Sequence, residues 1–64
     1  MKFSEWFRNQ VQRQDDVGIA ANKWNLVTPV QRKGRINAAR LVRVAGIPEH
    51  TAIKVIQEFA SVAA

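Results

Sequence analysis

Residues 36–63 constrain the fold more than any other stretch, because they spell out two helices and the sharp corner that joins them. In residues 37–45, Leu41, Val42, Val44 and Ala45 gather near one side and Arg40 and Arg43 fall on the other, as an amphipathic helix requires. Asn37 can cap this helix. Ile36 just before the cap and Leu41 at the fourth helical position have the spacing of a hydrophobic staple. Gly46 closes it, since glycine takes the left-handed conformation of a C-terminal cap, and Pro48 suits only the first turn of a following helix. That second helix, residues 48–63, carries Ala52, Val55, Ile56, Phe59, Ala60 and Ala63 as a buried stripe. His50, Lys54, Gln57 and Ser61 lie off the stripe, and Glu49 sits in the first turn, where a carboxylate favours the helix dipole.

The preceding half also reads as helical. Ser4 can cap a first helix over residues 4–14, and Phe3, Trp6, Phe7 and Val11 make an apolar face there that so small a domain needs for its interior. Asp15 and Asp16 stop that helix and can cap the next, in which Val17, Ala20, Ala21 and Trp24 keep the helical period to about residue 25. Gly18 weakens this helix by roughly 1 kcal/mol relative to alanine, which points to close packing against a neighbour. Thr28, Pro29 and Gln31 occupy the positions of an N-cap, a first-turn proline and a capping-box glutamine, predicting a helical turn that ends near Gly34. The residues alone leave open whether this turn runs on through Gly34 or breaks there. No stretch alternates with period 2, so the expectation is an all-α fold. It is a compact bundle of four or five short helices, one domain over residues 1–64, with a helix-turn-helix-like corner at its C-terminal end.

A domain of 64 residues buries only about 60% of the surface that its unfolded chain exposes. Having no cysteine, it has neither a disulfide framework nor a thiolate metal site, so a homodimer is the expected source of further core. No uncharged segment is long enough to span a bilayer; the expectation is a cytoplasmic protein without a membrane partner.

Charge bears on function together with the corner, although basic residues also serve simply to keep a small apolar domain soluble. Ten Lys/Arg against five Asp/Glu leave a formal net charge of +5, and between Val17 and Pro48 there is no acid at all. Lys23, Arg32, Lys33, Arg35, Arg40 and Arg43 fall in that interval, giving the middle of the chain a positive field that a polyanion would feel. Catalysis is the class least served. With one histidine, no cysteine and no tyrosine, there is no base paired with a nucleophile and no cluster with metal-ligand spacing. Gly18, Gly34 and Gly46 are isolated and make no phosphate loop. Catalytic residues, metals and cofactors are therefore not expected.

Three resemblances bear on function. Leu41, Val42, Ala45, Gly46, Ile47, Thr51, Ala52, Val55 and Ile56 resemble the helix-turn-helix pattern of DNA-binding proteins, with Val42 standing where a small alanine is usual. That resemblance implies that His50, Thr51, Lys54 and Gln57 approach bases or phosphates of double-stranded DNA, while Arg32, Lys33, Arg35, Arg40 and Arg43 bind its backbone. Gly46-Ile47-Pro48 before Thr51-Ala52-Ile53-Lys54 also resembles a helix-hairpin-helix, which holds phosphates with backbone N–H groups. Here Pro48 replaces the second glycine and has no N–H to offer. At the other end, Phe3-Ser4-Glu5-Trp6-Phe7 followed by Gln10, Arg13, Asp15-Asp16, Val17-Gly18, Ala20 and Asn22 resembles the opening of the YozE-type, SAM-like small helical proteins. The proline usual after the paired aspartates is missing.

The functional expectation is a small basic DNA-binding protein, a regulator or accessory factor of a phage or other mobile element. The alternative is a SAM-like interaction module or phage-type modulator that binds another protein. Ile53, on the otherwise polar side of the last helix, speaks for that alternative and equally for a contact between the two copies of a dimer.

Overall fold

The aromatic side chains of the first segment decide how the helices assemble. In the computed structural model, which describes residues 2–28, 31 and 34–63, α1 spans Phe3–Arg8, α2 Asp16–Asn25, α3 Ala38–Ala45 and α4 Glu49–Ala63. No strand occurs among the described residues, and the all-α expectation holds. Phe3 is the hub: its ring lies 4.9 Å from Phe7 and 6.0 Å from Trp6, and it meets Trp24 and Phe59 edge-on at 6.3 and 5.2 Å. Tilted and edge-to-face pairs of this kind add to the stabilisation from area burial alone. One residue of α1 thereby binds together α1, α2 and the C-terminal half of α4. Phe7, Val17, Trp24, Leu41, Ile47 and Val55 are the largest fully buried side chains, each contributing about 1.5–3 kcal/mol by leaving water.

The first helix is shorter than its apolar spacing predicts. It starts at Phe3 with Lys2 as the cap, ends at Arg8, and passes into a 3-10 turn over Asn9–Gln12. At this point the Gln10 side-chain amide donates to Trp6 O (3.0 Å), and the main chain tightens until Arg13 N–H meets Gln10 O at 3.0 Å. Tightening carries the Arg13 carbonyl directly over α2. A Cβ on Gly18 would stand 2.0 Å from Arg13 O, so the close packing expected at this glycine is present. Asp15 caps α2 as its position suggests, its Oδ1 accepting the Gly18 N–H at 3.1 Å.

After α2, Thr28 and Gln31 exchange the hydrogen bonds of a capping box: Gln31 N–H donates to Thr28 Oγ1 (3.4 Å) and Thr28 N–H donates to Gln31 Oε1 (3.4 Å), with the Thr28 hydroxyl also donating to Gln31 Oε1 (3.1 Å). The helical turn expected there falls largely on residues 29, 30, 32 and 33, outside the described residues. Gly34 has φ +107°, so the chain breaks at it, and α3 starts afresh under its own cap, with Asn37 Oδ1 accepting Arg40 N–H at 2.9 Å.

The corner forms as its residues dictate. Gly46 adopts φ +70°, its N–H returns to Val42 O (3.0 Å), and Ile47 N–H returns to Leu41 O (3.3 Å) while the Ile47 side chain enters the core. Two details differ from the helical spacing. Val42 is exposed rather than buried with Leu41, and the stripe of α4 loses its cover toward the end, leaving Ala60 and Ala63 exposed. Burial along α4 stops where α1 no longer reaches it, with Phe59 half-buried as the last aromatic contact.

Candidate nucleic-acid interface

The residues expected to touch a nucleic acid fall into three groups, set apart by what their side chains already hold. The first group lies on α4. Thr51 is only 3% exposed, and its hydroxyl donates to Asp16 Oδ2 at 3.4 Å. Lys54 reaches the same carboxylate, with Nζ 2.9 Å from Asp16 Oδ1. Each partner shifts the other: the Lys54 ammonium lowers the Asp16 carboxyl, and the Asp16 carboxylate raises the Lys54 ammonium. Only His50 and Gln57 of this group lie exposed without a role in holding the bundle together. Asp16, Ile19, Ala20, Lys23, Pro48, His50 and Thr51 line a shallow groove of about 210 Å³ between α2 and the start of α4. A carboxylate therefore stands beside the front end of α4, the end that would have to meet phosphates in a groove-reading helix.

The second group belongs to α3 and its approach. Arg35 and Arg43 are exposed, and α3 carries no acid in any turn. Ala39, one turn before Arg43 on the same face, is exposed and small, leaving the arginine sterically open on that side. Arg40 is half-buried. Its Nη2 donates to Gln31 O at 3.0 Å, and its guanidinium lies against Gly34, where an added Cβ would meet Nη1 at 3.2 Å. The third group, Arg32 and Lys33, lies outside the described residues.

The acids complete the electrostatic picture. Arg13 Nη2 holds Asp15 Oδ2 at 2.6 Å while its Nη1 holds Glu58 Oε1 at 2.7 Å, tying the start of α2 to the far half of α4. The Asp15 carboxyl is lowered first by Arg13 and then by the Gly18 N–H it caps, and Arg13 is raised by Glu58 and Asp15. Three of the five carboxylates, Asp15, Asp16 and Glu58, are thus spent on the seam between α2 and α4. The other two, Glu5 and Glu49, sit in the first turns of α1 and α4, where they favour the helix dipoles. Negative charge is confined to one seam and two helix starts, and the surface of α3 with its approach is left basic.

Sequence reasoning did not find the roles of Asp16 and Arg40. Asp16 meets Lys54 across 38 residues, a pairing that no local spacing announces. Arg40 does carry a local signal, a glycine six residues before an arginine that sits just inside a capped helix, but that pattern is not specific. Among the described residues no cluster of three or more metal-binding side chains occurs, and no helix is long and apolar enough to cross a membrane. Compared with protein-family models, curated proteins and solved structures, the chain matches none of them.

Proposed function

We propose that this is a small DNA-binding protein that grips the phosphate backbone through α3 and its approach, with Arg35 and Arg43 as the principal contacts. One observation carries the reading: the carboxylates are gathered at the α2–α4 seam and at two helix starts, while the acid-free interval presents Arg35 and Arg43 to solvent. Charge separation of this kind focuses positive potential on one side of a domain and attracts a polyanion. The state of α4 supports backbone contact over base reading, because Thr51 is buried and Lys54 is committed to Asp16. Such a grip suits an accessory or regulatory factor of a mobile element that acts on DNA with little sequence preference.

Fluorescence anisotropy of a labelled random duplex, titrated at about 50 and 200 mM salt, tests the proposal, because contacts to several phosphates lose orders of magnitude in affinity over that range. Binding at the lower salt that collapses at the higher is the expected result. Absence of binding at the lower salt would contradict it. Binding of another protein is the second reading, favoured by Ile19 and Ile53, which are 60% and 44% exposed.

A further inference from the structure

Resting on the backbone-binding reading, we infer that Arg40 is a positioning residue: its guanidinium holds Gln31 and Gly34 ahead of α3 and so sets where Arg35 stands, instead of meeting phosphate itself. Two contacts to described residues carry the strap. Arg40 Nη2 donates to the main-chain carbonyl of Gln31 at 3.0 Å, and the guanidinium covers Gly34 so closely that a Cβ there would stand 3.2 Å from Nη1. Gly34 also has φ +107°, a conformation that side-chain-bearing residues rarely adopt, so the backbone angle favours glycine, and an added Cβ would in addition press the end of the Arg40 side chain aside by a few tenths of an ångström. Arg35 follows immediately and is exposed.

Hydrogen bonds hold both ends of the strap. Arg40 lies in the first turn of α3, where its own N–H is fixed by Asn37, and the Thr28–Gln31 capping box steadies the residue whose carbonyl it grips. A planar guanidinium with several donors in fixed directions suits a carbonyl on one edge and a flat glycine beneath it. A lysine would keep the charge and lose that geometry.

The distinguishing variant is Gly34→Ala, which removes no charge and leaves every arginine in the chain. Binding of a labelled random duplex is measured across a salt series for the unaltered chain, Gly34→Ala, Arg40→Lys, Arg35→Ala, Arg40→Ala and the Arg35→Ala/Arg40→Ala pair, with circular dichroism confirming helix content. If Arg40 is a strap, Gly34→Ala lowers the slope of log affinity against log salt by roughly 0.9, the share of one lost phosphate contact, although no cation has been deleted. Arg40→Lys then fails to restore full affinity, and Arg35→Ala costs less in the Arg40→Ala background than alone, the non-additivity of residues acting through one another. The inference is overturned if Gly34→Ala leaves the slope unchanged, if Arg40→Lys binds like the unaltered chain, or if the two arginine losses simply add. Failure of the unaltered chain to bind at low salt would overturn the reading beneath it as well, so the two failures are told apart.

Discussion

The seam between α2 and α4 and the entry to α3 use the same kinds of residue to opposite ends. At the seam, Arg13 and Lys54 are matched by Asp15, Asp16 and Glu58 at 2.6–2.9 Å, and positive charge is neutralised in fixing two helices together. At the entry to α3, Arg40 meets a backbone carbonyl and a glycine and Arg35 stands exposed, and in the last turn of the same acid-free helix Arg43 is exposed as well. The lesson is that a basic composition does not by itself mark a binding face. What marks it is which cations the fold's own carboxylates have already taken.

The packed side of this comparison breaks most severely at Gly18. Gly18→Ala would place a Cβ 2.0 Å from the Arg13 carbonyl, main chain against main chain. It is expected to destabilise by about 3 kcal/mol or more, at the upper end of overpacking costs. Thermal unfolding followed by circular dichroism should show a midpoint lowered by more than ten degrees or so; an unchanged midpoint would mean that the 3-10 turn relaxes freely away from α2.

Gly46→Ala is the next test and has a different cause. The position has φ +70° and nothing within 4 Å of an added Cβ, so only backbone strain is introduced, worth about 1–2 kcal/mol. The midpoint should fall by several degrees. A larger loss would point to contacts at the corner beyond its backbone geometry.

Acid should weaken the seam before it affects the arginines. Asp15 and Asp16 have carboxyl groups held below their ordinary value by Arg13 and Lys54. Their contribution is therefore complete above the unfolded carboxylate value of about 3.9 and is lost as pH falls through the lower folded values. Lys54 is raised, so its share is complete below the ordinary lysine value and disappears only in strong alkali. Thermal midpoints should form a plateau through neutral pH and decline below about pH 4. In an Asp15→Asn/Asp16→Asn variant that decline should be shallower; an equally steep one would place the acid-sensitive groups elsewhere.

Much of the fold was legible because its signals are local. The Asn37 cap, the Gly46 corner, the Asp15 cap and the aromatic face of α1 each depend on residues within a few positions of one another, and each formed where its spacing indicated. The length of the first helix is not legible in the same way, because Gln10 folds back onto Trp6 O and helical periodicity does not distinguish the last turn of an α-helix from the tighter 3-10 turn that follows. The candidate site was legible in composition and not in detail. An acid-free interval can be read from the chain, but the capture of Lys54 and Thr51 by Asp16 is a long-range event. Thr51 sits at a position that a helical wheel leaves ambiguous, and only the approach of α2 turns it inward.

Arg35→Ala/Arg43→Ala tests the separation between the two regions most directly, because it strips the exposed arginines of one and touches no contact of the other. Binding to a random duplex and thermal unfolding are measured on the same preparation. The thermal midpoint should stay within a few degrees of the unaltered chain, as surface changes usually leave it, while the salt slope falls by roughly 1.8, the share of two lost phosphate contacts. An unchanged midpoint together with unchanged affinity and slope would contradict the assignment of the α3 face as the surface that meets nucleic acid.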